Sequence, residues 1–210
     1  MKKLMLLILM SSLAAAFAQE VIVSVGAGGH WKAKSTPQCA VWLEDAAGNF
    51  IRTLYVTNRA GKRSWLFGPK EGRPESLPVW YHASTHQGAA KADASGAVAA
   101  SEKLDAVTSA TPKGGFVFTT ETGGKACRIR AECNTSFDYN DTYTKKNSGV
   151  NGQPSVVYGA DIPEGFASGE ISLSLLGTGS LDGSDGEIHS GTPGLTTAPE
   201  IVKSIEVTAK

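Results

Sequence analysis

The residues whose types and spacing suit them best to chemistry are Asp105, Thr108, Ser109, Ala110 and Thr111, in the run Asp105-Ala106-Val107-Thr108-Ser109-Ala110-Thr111. Small residues lead to a terminal threonine, and Pro112-Lys113-Gly114-Gly115 follows. Pro112 biases Thr111 away from the helical region and towards an extended backbone. An extended, small-residue segment running into a Gly-rich turn presents the Thr111 hydroxyl to an approaching enzyme. No base lies beside it in sequence, so the hydroxyl reads as the acceptor of a covalent modification and not as a catalytic nucleophile. The plainer reading of the same residues is a polar surface turn in which Asp105 and Thr108 satisfy local backbone donors.

Other constellations carry less. His82 and His86 are four residues apart, a spacing that suits a metal pair on a helix, but no third ligand is near in sequence. Asp182-Gly183-Ser184-Asp185-Gly186-Glu187 offers three carboxylates without the twelve-residue calcium-loop pattern, and reads mainly as a solvated loop. Asp138, Asn140 and Asp141 invite the same reading. The sequence contains no Gly-x-Ser-x-Gly elbow, no His-Glu-x-x-His and no Cys-x-x-Cys-His. Nothing marks the chain as an enzyme.

The elements that must position the motif belong to an exported chain. Met1-Lys2-Lys3, the apolar run Leu4–Met10 and Ala16-Phe17-Ala18 form a signal peptide with cleavage expected before Gln19. Lys2 and Lys3 leave with it, so 20 basic residues become 18 against 20 acidic, with no basic excess to attract nucleic acid. The expected location is the periplasm, without stable membrane insertion. Residues 19–210 suffice for one domain with a core.

Of the three cysteines, Cys127 and Cys133 fall in one expected strand, roughly 20 Å apart at strand rise. Cys39 with one of them is the sterically sensible bridge; three unpaired thiols is the equally weighted alternative.

Hydrophobic patterning is that of strands. Val21–Val25 alternates; Cys39–Glu44 and Phe50–Thr57 flank the turn Asp45–Asn49 as a hairpin. In the second arm Phe50, Arg52, Leu54 and Val56 are expected on one face, with Ile51, Thr53, Tyr55 and Thr57 on the other. Phe116–Thr122 and Ala126–Cys133 flank Gly123-Gly124 and read as a second tight hairpin, with Arg128, Arg130 and Glu132 facing outward. Pro154–Tyr158, Gly169–Leu175 and Ile201–Val207 complete seven or eight strands. Asn58–His82 reads as a long loop pinned by Trp65, Phe67, Trp80 and Tyr81, or as an aromatic wall for a flat ligand. The alanine-rich run Ala83–Ala100 reads as a short helix or an excursion that delivers the motif to the surface. The sum is an all-β sandwich of immunoglobulin-like or fibronectin-like kind, with long loops and at most short helices.

The segment Asp105–Thr111 resembles the acceptor motif at which a periplasmic flavin transferase attaches flavin mononucleotide (FMN) to threonine, with Ser109 at a position that commonly holds glycine. Further blocks are Ala40–Asp45 with Gly48, Phe50 and Arg52–Leu54; Glu132-x-Asn134-x-Ser136-Phe137-Asp138-Tyr139-Asn140; and Asn151-Gly152-Gln153-Pro154-Ser155. Together with the motif they resemble the bacterial family labelled "domain of unknown function 2271" over about residues 37–175. That resemblance implies a periplasmic sandwich associated with flavin transferases and membrane electron-transfer proteins. Thr111 would then carry covalent FMN, with Asp105 and Thr108 read by the transferase, Ser109 and Ala110 completing the site, and Trp65, Trp80 or Tyr81 stacking on the ring. The alternative is a non-redox periplasmic interaction or assembly module.

Overall fold

A computed structural model describes residues 19–31, 35–57, 60, 73–87, 114–191 and 193–210. The expected signal peptide lies outside them. Among the described residues nine strands form two antiparallel sheets that enclose a main core. The strands are β1 (Glu20–Ala27), β2 (Gln38–Asp45), β3 (Phe50–Val56), β4 (Gly115–Glu121), β5 (Cys127–Asn134), β6 (Val156–Ile162), β7 (Glu170–Ser172), β8 (Ser174–Thr178) and β9 (Val202–Ala209). One sheet runs β4-β1-β9-β7 and the other β3-β2-β5-β6-β8. The chain is therefore an all-β sandwich. No helix among the described residues is long and apolar enough to cross a membrane.

Period-two patterning explains the main core. Val21, Val23 and Val25 of β1 and Ile205 and Val207 of β9 meet Cys39, Val41 and Leu43 of β2 and Ile129, Ala131 and Cys133 of β5. Aromatic residues close the β3/β4 edge: Tyr55 stacks on Phe116 at 3.8 Å between ring centroids. Arg52 spans the same edge, donating to Thr120 Oγ1 and to the Glu121 carbonyl.

The β2–β3 hairpin forms as expected. Asp45 accepts from the Ala47 and Asn49 amides, and Gly48 takes a left-handed φ of 90°. The alternation expected along β3 breaks, however. Val41 faces Tyr55 but Trp42 faces Thr53, so Leu54 is an extra, bulged residue. The bulge sends Leu54 and Tyr55 together into the main core and leaves Val56 on the outer face.

Two expected strand arrangements are corrected. The strands flanking Gly123-Gly124 do not pair: β4 joins β1, and β5 joins β2 and β6. The two glycines, both at positive φ, turn the chain from one sheet to the other. Likewise Gly169–Leu175 is not one strand. It splits at buried Leu173, with β7 in one sheet and β8 in the other.

The outer face of the five-stranded sheet is covered. A short helix, α1 (Pro78–His82), runs directly into a π-helical turn at Ala83–Gln87 and lies across it. Ala40, Trp42, Val56 and Val157 pack there against Leu77, Val79 and Trp80. A second short helix, α2 (Lys145–Ser148), interrupts the polar loop that follows β5.

Candidate functional site

The predicted site residues Asp105, Thr108, Ser109, Ala110 and Thr111 lie outside the described residues, as do Trp65 and Phe67. What the structure describes is the anchorage on either side of residues 88–113. On one side stands the arm 73–87; on the other, Gly114 leads into β4.

The arm is held by side chains that the sequence presents as an unremarkable polar loop. Arg73 donates from Nε to Glu75 (3.0 Å) and from Nη2 to Asn151 Oδ1 (3.0 Å). Asn151 in turn donates to the Glu75 carbonyl at 2.6 Å, and Asn134 donates to the Ser76 carbonyl at 3.1 Å. Gln38, in β2, donates to Ser136. Ser76, Asn134, Ser136 and Asn151 are all buried, where such groups are kept only with partners.

At the centre is Glu132, fully buried on the outer face of β5. Pro78 occupies the first position of α1 and has no amide hydrogen. The next two amides, Val79 and Trp80, both donate to the Glu132 carboxylate, at 3.4 and 2.8 Å. Ser155 Oγ donates to the same carboxylate at 2.5 Å. A strand residue from another part of the chain thus caps the helix, whose own flanking residue supplies no side-chain cap. Burial pushes the Glu132 carboxyl up to about 7, against the opposing pull of Ser155 and the two amides.

The outward direction expected for Glu132 is right, but the expected exposure is not: α1 covers it. The same covering overturns the reading of Asn58–His82 as loop throughout. A five-residue helix is too short for a periodic pattern to announce, and Pro78 is its single start signal.

Trp80 and Tyr81, two of the expected stacking residues, have different surroundings. The Trp80 indole packs into both outer-face clusters, and its Nε1 donates to Thr53 Oγ1 at 3.0 Å. Tyr81 is half-buried and meets His82 edge-on at 5.7 Å. Its carbonyl accepts from Ser84 and Thr85, hydroxyls that turn back onto the helix where the π turn begins.

His82 donates from Nε2 to the Gly183 carbonyl at 3.0 Å. This ties the acidic loop to α1 through its backbone, while the Asp182 and Glu187 side chains are exposed, as expected of a solvated loop. Asp182 caps the Ser184 amide, and Asp185 caps that of Glu187. The hydrogen bonds to Ser184 hold the Asp182 carboxyl below the usual range. Among the described residues no group of three or more His, Cys, Asp or Glu side chains is arranged to hold a metal ion.

Asp138 belongs to a second polar network. Its Oδ1 meets both His30 Nε2 (3.1 Å) and Thr197 Oγ1 (2.6 Å), and Oδ2 accepts from Gln153 (2.8 Å). Hydroxyl and imidazole converge on the carboxylate instead of on each other, so Thr197 is not an activated nucleophile. The network ties the loop after β5 to the turn before β9. Glu132, Asn134, Ser136, Asp138, Asn151, Gln153 and Ser155, all from the sequence blocks, are every one buried in these two networks.

A cleft of about 590 Å³ opens beside Gly123 and Gly124, lined by Gln19, Glu20, Lys125 and Lys210 among others. It sits at the far end of β4 from Gly114, about 20 Å along the strand. It is therefore remote from the flank that leads out of the motif. Comparison with protein-family models, with curated proteins and with solved structures finds no match for this chain.

Proposed function

We propose that this chain is an exported β-sandwich that carries FMN as a phosphoester on Thr111 and passes electrons to or from membrane redox proteins. The motif Asp105–Thr111 carries the reading; it resembles a threonine acceptor site for a flavin transferase. The resemblance of the blocks across residues 37–175 to the periplasmic family named above supports it, as does the signal-peptide pattern expected from residues 1–18. Bound flavin would supply the redox chemistry, and the protein position and electrostatics.

On this reading the described structure is the mount. The arm 73–87 is clamped to the sandwich by Arg73, Asn134, Asn151 and Glu132, and β4 is anchored along β1. The described chain on either side of residues 88–113 is therefore anchored to the sandwich, at the arm ending at Gln87 and at β4 beginning after Gly114. Trp80, whose indole Nε1 is held by Thr53, and Tyr81 are the described aromatic side chains that would stack on the isoalloxazine. Asp105 and Thr108 serve as recognition positions for the transferase.

Mass spectrometry after co-expression with a periplasmic flavin transferase tests the reading. The expected product is heavier by one FMN, and Thr111→Ala abolishes the increment. A protein of unmodified mass would favour the non-redox interaction module.

A further inference from the structure

The strand register resolves a pairing that spacing leaves open. Cys39 of β2 lies directly opposite Cys133 of β5. The Cys39 amide donates to Thr57 Oγ1 and its carbonyl accepts from the Thr57 amide, so both backbone groups point away from β5. Cys39 and Cys133 are consequently a non-hydrogen-bonded pair of the antiparallel ladder, the kind whose Cα atoms approach to about 4.5 Å. Disulfides need a Cα separation of roughly 4.4–6.8 Å. Both side chains point into the main core, where burial first, and the neighbouring Cys39 thiol second, push the Cys133 thiol well above its ordinary value. Cys127 is six residues along β5, opposite Asp45, and so about 20 Å from either partner.

We propose that Cys39 and Cys133 are a disulfide site, a covalent staple across the centre of the five-stranded sheet, with Cys127 left as a thiol. In the structure the two sulfurs are unbridged neighbours. The bridge forms by thiol–disulfide exchange with a small-molecule or protein disulfide. The Cys39–Cys133 S–S bond forms as the oxidant's S–S bond breaks. The two cysteines lose two electrons and two protons, and the oxidant leaves as two thiols. Both cysteines are buried to within 1% of full enclosure, so exchange belongs to the folding chain and the finished bridge is shielded from reductants. It closes a loop of about 94 residues, which restrains the unfolded chain strongly. The inference needs neither the flavin nor export, only a disulfide oxidant.

The test is refolding of the reduced full chain in a buffer of reduced and oxidised glutathione, quenched with N-ethylmaleimide in denaturant and mapped by peptide mass. The expected map contains one crosslinked pair joining the Cys39 and Cys133 peptides, with Cys127 singly alkylated. Cys127→Ser keeps the crosslink, and oxidation raises the melting temperature of both wild type and Cys127→Ser by several degrees. Three alkylated cysteines at an oxidising glutathione ratio would overturn the proposal. So would a crosslink that includes Cys127, or an oxidised protein that melts no higher than the reduced one.

Discussion

Glu132 sets a pH dependence at the scale of a single residue. Its carboxyl titrates near 7 in the folded chain against a reference of 4.5. The fold therefore binds the proton more tightly than the unfolded chain does. Stability from this group is complete below about pH 4.5, declines as pH rises towards 7, and is flat above that. The full decline is at most a few kcal/mol. Glu132→Gln carries no ionisable group and keeps one acceptor oxygen, enough for either the Trp80 amide or the Val79 amide but not both, so its overall stability drops while its pH dependence is lost. Urea midpoints measured from pH 4.5 to 8 should fall for the wild type over this window and lose that component in the variant. A decline of equal size in the variant would show that another group causes it. Trp80→Phe tests a neighbouring contact, since it removes the Nε1 donor to Thr53. We expect a loss of about 1 kcal/mol in chemical denaturation, the usual size for one hydrogen bond.

At the scale of elements, the seat of α1 depends on a missing side chain. A Cβ at Gly179 would come within 2.5 Å of Pro78 Cγ, 2.6 Å of Ser155 Oγ and 2.8 Å of Glu132 Oε1. Gly179→Ala should push the helix off its carboxylate cap and destabilise the fold by roughly 1–3 kcal/mol. Hydrogen exchange at the Val79 and Trp80 amides should speed up more than exchange in β1; uniform acceleration would contradict a local seat. The same element shows where sequence reading stops. The first hairpin was legible because Asp45–Asn49 is turn chemistry between two β-rich arms. Gly123-Gly124 misled because two left-handed glycines suit a sheet-to-sheet turn as well as a hairpin. Strand partners are a tertiary choice that local residues do not encode. The buried polar residues of the β5 exit were invisible as such, since Asn, Ser and Gln in a turn-rich stretch look solvated until an arm from elsewhere covers them.

At the scale of the whole molecule, one core between two antiparallel sheets accounts for the sandwich, and a second, thinner layer of packing holds the arm 73–87 outside it. The alternation of β1, β5 and β9 made the first layer readable from residue types alone. The second layer was legible only in part: the mixed faces of Phe50–Thr57 suit a strand covered on both sides, but Trp42 and Val157 could have faced solvent equally well in a two-layer protein. On the proposed function this outer layer matters most, as it fixes where the chain departs towards Thr111. The most direct measurement is the intact mass of the chain co-expressed with a periplasmic flavin transferase, beside its Thr111→Ala variant. The account predicts one added FMN in the first and none in the second. An unmodified wild type, or an added flavin that persists in Thr111→Ala, would contradict it.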